Sequence, residues 1–266
     1  MDQPATLPVV LCFSGLDPTG GAGIQADIET IVSMGAHPAP IVTALTVQDT
    51  TSVRRFDAVD SLLLIEQART LLEDMPVAAI KIGMLANRAN IEAIHTILLD
   101  YPDIPVVLDP VLKAGGGGQL LDEDAMAALL ELLIPQTMVL TPNSVEARAL
   151  AKDADTLPAC AESLLDRGCQ YVLITGSHEA TEGVVNTLYS NHRELEQTDW
   201  QRLPHQYHGS GCTLAAAIAA MLAQGLDPVM AANEAQDFTW ESLKHAHRLG
   251  MGQLIPNRLF WAREED

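Results

Sequence analysis

His208-Gly209-Ser210-Gly211-Cys212-Thr213 runs directly into a ten-residue apolar stretch, 214–223. Glycines and small hydroxyl residues ahead of a helix-forming run predict a tight turn whose unpaired N–H groups point out of a positive helix end. Such an end can cradle a phosphate or an oxyanion. Cys212 falls inside the cradle, where the same field is expected to favour its thiolate, able to take a proton from a substrate hydroxyl or to attack carbon. The residues fit equally well an ordinary Gly-rich turn with a small Cys packed behind it.

Other segments carry comparable chemistry. Ser14-Gly15-Leu16-Asp17-Pro18-Thr19-Gly20-Gly21-Ala22-Gly23 is rich enough in glycine to let a ligand approach the backbone. It lacks both the G-x-G-x-x-G order of a dinucleotide fold and the Lys-Ser/Thr of a P-loop. Gln48 offers an amide face that can pair with the edge of an aminopyrimidine or pyridine ring. Asp109 ends one strand pattern and Thr141-Pro142-Asn143-Ser144-Val145-Glu146 ends the next. Asn143 and Glu146 read as a capping box, while Asp109 and Glu146 also read as hard-oxygen groups for Mg²⁺ held through its waters. The histidine pairs His205/His208 and His245/His247 match no zinc spacing and read as surface or packing residues. No G-x-S-x-G elbow supports a serine hydrolase.

These residues need a frame to hold them. Apolar runs at 8–13, 41–46, 79–84, 105–108, 138–141, 171–175 and 183–189 read as mostly buried strands. Between and after them lie helical patterns at 21–34, 61–74, 88–100, 123–133, 144–151, 158–167, 212–224 and 228–248. The alternation predicts an α/β fold with a mainly parallel sheet, and ligands in such sheets bind outside the carboxyl ends of the strands. With 266 residues, 48% of them hydrophobic and only 4% aromatic, one aliphatic core suffices. No segment beyond the last few residues, Arg263-Glu264-Glu265-Asp266, has the charge of a disordered tail.

A net charge of −20 argues against nucleic acid or an anionic membrane as a partner. A small phosphorylated ligand remains compatible, because backbone dipoles and a bound cation act locally. Four cysteines without a CxxC pair, no basic leader beside Asp2 and no run of about 18 apolar residues point to a reducing cytoplasm.

Together the segments resemble the ribokinase superfamily and, more closely, the bacterial hydroxymethylpyrimidine/phosphomethylpyrimidine kinases of thiamine biosynthesis. SGLDPTGGAGIQAD, TALTVQDT, KIGML, LDPV, TPNSVEA and HGSGCTLAAAIAA carry the resemblance, in that order, across residues 9–225. It implies a three-layer α/β/α fold with a mainly parallel central sheet, one domain over residues 1–266, assembled as a homodimer. The implied reaction moves the γ-phosphoryl of ATP, with Mg²⁺, to the hydroxyl of 4-amino-5-hydroxymethyl-2-methylpyrimidine and then to the monophosphate. Carried over by motif, Gln48, Asp17, Gly21, Met84 and Val111 bind the pyrimidine, and Asn143, Thr175 and Thr213 serve the nucleotide. Asp109 and Glu146 fall near the metal. Gly209, Ser210, Gly211 and Cys212 hold the transferring phosphate, with Cys212 as base.

The chain departs from the family pattern in three places. Thr175 stands where a lysine is frequent, Lys113-Ala114-Gly115-Gly116-Gly117-Gly118 replaces the Ala-Lys that commonly follows Asp-Pro-Val, and Pro256-Asn257-Arg258-Leu259-Phe260 alters the C-terminal segment. Losing two cations would weaken the hold on ATP or on the phosphorylated intermediate. Pyridoxal kinase activity and a non-catalytic pyrimidine-binding regulator are the competing readings.

Overall fold

Alternation along the first strand sets the layers. In β1 (Val9–Leu16), Val9, Leu11 and Phe13 enter one hydrophobic core while Val10 and Cys12 enter another. A strand apolar on both faces must be covered on both. The computed structural model describes residues 6–113 and 117–262, and in it helices do cover both faces. Asp2, residues 114–116 of the glycine run and the acidic tail 263–266 lie outside the described residues.

The chain continues through α1 (Gly23–Ser33), β2 (His37–Gln48), β3 (Val53–Ala58), α2 (Ser61–Asp74), β4 (Val77–Ile82), α3 (Arg88–Asp100) and β5 (Val106–Leu108). Then come α4 (Glu123–Ala128), β6 (Val139–Leu140), α5 (Ser144–Leu150), α6 (Leu157–Asp166), β7 (Tyr171–Ile174), β8 (Val184–Ser190) and β9 (Arg193–Trp200), closed by α7 (Ser210–Ala223) and α8 (Pro228–Lys244). Nine strands form one sheet in the order β3-β2-β1-β4-β5-β6-β7-β8-β9. It is parallel from β2 to β7, with β3 antiparallel at one edge and β8 and β9 antiparallel at the other. Helices α2 to α6 pack on one face and α1, α7 and α8 on the other, which gives the three-layer arrangement. Helix α7 is apolar all round and alanine-rich, so it lies buried across β1, β4 and β5 between α1 and α8.

Each expected strand and helix has a counterpart, with four differences. The pattern at 123–133 is α-helical only to Ala128 and finishes as a π turn, Leu129–Leu133. The last long helix stops at Lys244 rather than at residue 248. Strand β2 begins at His37 despite Pro38 and Pro40, because β3 pairs with it only from Ala44 onward and no partner there needs the missing N–H groups. Strands β3 and β9 were not expected at all. Both are charged edge strands, Val53-Arg54-Arg55-Phe56-Asp57-Ala58 and Arg193-Glu194-Leu195-Glu196-Gln197-Thr198-Asp199-Trp200, without the buried face that periodicity detects.

Helix starts divide into two kinds. The side chains of Asp60, Asn87, Asp122, Asn143, Thr156 and Asp227 cap α2, α3, α4, α5, α6 and α8. Helices α1 and α7 start at Ala22 and Gly209 with no side-chain cap.

Candidate active site

Those two bare helix starts face the same cavity, of about 450 Å³, at the carboxyl ends of the parallel strands. Gly209 has φ +85°, and a Cβ there would run into the Gly21 carbonyl; Gly23 has φ +60°, and a Cβ there would strike the Gly15 carbonyl. Both positions therefore require glycine, on steric and conformational grounds together. The left-handed turn at Gly209 leaves Ser210, Gly211 and Cys212 in the first turn of α7 with no side chain to accept their N–H groups. All four residues from Gly209 to Cys212 line the cavity.

Cys212 sits between the two bare ends. The Asp109, Asp27 and Lys81 charges all act on its thiol, as does the Gly23 amide. The expected resting thiolate is not what this setting produces. Burial pushes the Cys212 thiol up to about 12, the Asp109 and Asp27 carboxylates add to the rise, and Lys81 and the Gly23 amide only partly oppose it.

Asp109 lies against the same turn, since a Cβ on Gly211 would stand 3.6 Å from both of its carboxylate oxygens. Burial pushes Asp109 up to about 6, with the Lys81 cation pulling the other way. Burial, and then the Asp109 charge, push Glu146 up to about 8, against the pull of the Asn143 and Leu112 amides. The capping box is real: Asn143 Oδ1 accepts from the Val145 and Glu146 amides, each at 2.9 Å, and Glu146 Oε2 accepts from the Asn143 amide at 2.9 Å. Glu146 thus keeps only part of its carboxylate for a ligand. Among the described residues no cluster of three His, Cys, Asp or Glu could form an all-protein metal cage. Two crowded, desolvated carboxylates on one cavity do fit Mg²⁺, which takes one or two carboxylates and completes its shell with water and substrate phosphate.

The opposite end of the cavity is framed by Gln48 at the end of β2 together with Gly15, Thr46, Val53, Met84, Val111 and Leu120. Met84 and Leu120 belong to a small apolar cluster with Ala44 and Ala86, against which Val53 and Val111 pack. Asp17 also lines the cavity, but its carboxylate is occupied by the loop: it accepts from Thr19 N and Oγ1 at 2.8 and 2.9 Å, Ala22 N at 2.9 Å and His208 Nε2 at 2.8 Å. Burial alone would raise Asp17, yet these donors, His208 first, hold it down at about 2.

Asn143 and Thr175 line the cavity with Ser177 and His178, and Lys113 reaches it as well. Gly21 and Thr213 do not. Gly21 is buried behind its loop, and Thr213 has no exposed surface, its hydroxyl donating inward to the Gly209 carbonyl at 2.8 Å. A residue one step past Cys212 on α7 is turned about 100° away, which is why adjacency in sequence misplaced it.

Two participants escaped the sequence reading. His208, taken for a surface or packing residue, lines the cavity and binds Asp17 across 191 residues. Lys81 on β4 is wholly buried, with Nζ 2.7 Å from Asp27 Oδ1 and donating to Ser14 Oγ at 3.0 Å. A lysine inside Val77-Ala78-Ala79-Ile80-Lys81-Ile82 was the available signal, since a buried cation needs a buried anion.

The model of the phosphomethylpyrimidine kinase family matches residues 17–257. The chain belongs to this family. A hydroxymethylpyrimidine/phosphomethylpyrimidine kinase from Synechococcus elongatus is 38% identical over 253 residues, covering 93% of this chain and 95% of that protein. Among solved structures, phosphomethylpyrimidine kinase from Clostridium difficile is 30% identical, with a TM-score of 0.76 over 89% of this chain and 99% of the other. Pyridoxal kinase from Staphylococcus aureus, in complex with AMP-PCP and pyridoxal, is 26% identical, with a TM-score of 0.87 over 98% of this chain and 97% of the other. The ribokinase-like α/β fold is common to them.

Proposed function

We propose that this chain, acting as one kinase domain, phosphorylates 4-amino-5-hydroxymethyl-2-methylpyrimidine with ATP and Mg²⁺, first to the monophosphate and then to the diphosphate, in thiamine biosynthesis. The observation that carries this reading is the bare start of α7, with Cys212 against Asp109, in a cavity whose other end is closed by Gln48 and an apolar wall.

The parts divide the work by position. Gln48 pairs with the ring edge while Met84 and Val111 enclose its faces, so the hydroxymethyl group is aimed at Cys212. The amides of Ser210, Gly211 and Cys212 meet the equatorial oxygens of the transferring phosphoryl as their charge grows. Asp109 and Glu146 would hold Mg²⁺, which would supply neutralising charge to the phosphates. Cys212 Sγ takes the hydroxyl proton as the new O–P bond forms. Burial, and after it the Asp109 and Asp27 charges, keep the resting thiol protonated, so its proton has to pass to bulk water as ligand binds before Sγ can accept the hydroxyl proton. Asn143, Thr175 and Lys113 support the nucleotide side, with Lys113 the cation available to the second phosphorylation in place of the two lysines the chain lacks.

The likeness to a pyridoxal kinase fold favours pyridoxal as the second candidate substrate. ADP release with Mg²⁺-ATP and each substrate, with mass spectrometry of the product and a Cys212→Ala control, separates the readings. A diphosphate of the pyrimidine that disappears in Cys212→Ala supports the proposal; turnover of pyridoxal alone replaces it, and binding without turnover makes the chain a regulator.

The assembly in this reading is a homodimer working in the cytoplasm. Leu16, Leu45 and Val47 support it, being 37%, 50% and 43% exposed side by side on β1 and β2. A light-scattering mass of twice 28.6 kDa agrees with it, and a monomer at micromolar concentration rejects it. Among the described residues no helix is long and apolar enough to cross a membrane.

A further inference from the structure

The segment that follows α8 sends one side chain into the centre of the molecule. Arg258 is 1% exposed and its side chain has no exposed surface. A buried guanidinium must place its N–H donors, and this one divides them among three elements. Nη2 donates to the Gly21 carbonyl at 2.6 Å, Nε to Thr213 Oγ1 at 2.9 Å, and Nη1 to Glu29 Oε2 at 3.2 Å. Gly21 belongs to the glycine-rich loop, Thr213 to the start of α7 and Glu29 to α1. Thr213 carries the link onward through its bond to the Gly209 carbonyl at 2.8 Å. The segment is itself held to α8, with Asn257 N–H on the Ser242 carbonyl at 3.0 Å and the Phe260 ring stacked on His245 at 5.6 Å.

We propose that Arg258 is a positioning residue for phosphoryl transfer, fixing the glycine-rich loop against the bare start of α7 so that the first-turn amides stay aimed at the phosphate. This rests on reading those amides as the phosphate cradle. The Gly21 carbonyl presses directly on Gly209, close enough that no Cβ fits between them. A carbonyl left free to turn there would compete for the amides of α7. Arg258 holds it from behind. The planar fork reaches Gly21 and Thr213 at once, whereas a lysine presents three donors from a single point on a flexible stem. Arg258 touches none of Gln48, Met84 or Val111, so its loss should act on the chemical step more than on capture of the pyrimidine.

The experiment is steady-state kinetics on Arg258→Lys, Arg258→Ala and Thr213→Val, each corrected for its folded fraction by thermal melting. Displacing a cradle by about an ångström costs on the order of 10²-fold, so kcat should fall by about 10- to 100-fold in both Arg258 variants, with KM for the pyrimidine within about twofold. Thr213→Val, which removes the link to Gly209 and the Arg258 Nε contact but leaves the Arg258 bonds to Gly21 and Glu29, should fall in the same sense by less. Added methylguanidinium should restore part of kcat in Arg258→Ala and leave the wild type unchanged. Should Arg258→Ala fail to fold, Arg258→Lys and Thr213→Val decide by the same criteria. Variants that melt earlier but keep wild-type kcat per folded molecule overturn the inference. A wild type inert on the pyrimidine overturns the functional reading and the inference with it.

Discussion

Among the described residues, six of the eight α-helices begin on a capping side chain, whereas α1 and α7 begin on Ala22 and Gly209. A cap contributes roughly 1 kcal/mol and closes the helix end to other partners. The two ends without one converge on the cavity that holds Cys212 and Asp109. The stability of a cap is thus forgone at two helix ends on the cavity, the ones the proposed function leaves open to phosphate. Glu146 and Asn143 sit between these cases, forming a complete capping box whose members also line the cavity.

Charge divides along the same line. Asp27 has its counterion built in, the fully buried Lys81, and Asp17 is satisfied by four hydrogen bonds. Asp109 and Glu146 are instead raised to about 6 and about 8. The first pair holds the fold together. The second has no such built-in partner and, in the proposed reading, would be neutralised by a cation that arrives with substrate.

The sharpest way to break the contrast is at the open end of α7. Cys212→Ala should lower kcat by about 10²–10⁴-fold, with its melting temperature close to that of the wild type; an unchanged kcat would remove Cys212 from the chemistry. Next is the closed charge pair. Lys81→Met strands a buried carboxylate and should cost about 3–5 kcal/mol in chemical denaturation, with part of the loss recovered in Lys81→Met/Asp27→Asn. A single variant as stable as the wild type would mean the pair does not hold β4 to α1.

The pH dependence of the ligand-free protein tests the open carboxylates. Glu146 is raised from an ordinary value near 4.5 to about 8, so its contribution to stability is full below about 4.5 and lost as the pH rises through about 8. Melting temperature should therefore decline between these limits, and Glu146→Gln should flatten the decline. Over the same range Mg²⁺ with nucleotide should bind more tightly as pH rises, because metal and proton compete for one carboxylate. A Mg²⁺ requirement independent of pH would detach Glu146 from the metal. The smallest effect belongs to an ordinary cap: Asp227→Ala at α8 should cost about 1 kcal/mol with turnover unaltered, and a fall in kcat there would erase the distinction between the two kinds of helix start.

Much of the cavity could be read from the chain in order. Gln48, Asp109, Asn143, Glu146, Thr175 and the run from Gly209 to Cys212 each sit at the end of a strand or the start of a helix, where local patterning fixes both the element and its exit. Gly21 and Thr213 lie behind the cavity wall because Arg258, far away in sequence, holds the Gly21 carbonyl and the Thr213 hydroxyl there. Edge strands β3 and β9 stayed hidden because their pairing is a property of the neighbouring strand.

The sequence by itself determined the α/β alternation, the glycine-dependent turns and the family, since each rests on short-range periodicity or on ordered motifs. Only the tertiary structure decided which polar groups meet. Lys81 finds Asp27 at a separation of 54 residues, His208 finds Asp17 at 191 and Arg258 finds Gly21 at 237. It also decided that Cys212 rests as a thiol. Whether a buried ionisable group is stranded, satisfied or waiting for a ligand depends on the sum of desolvation and nearby charge, and that sum exists only once distant segments share one interior.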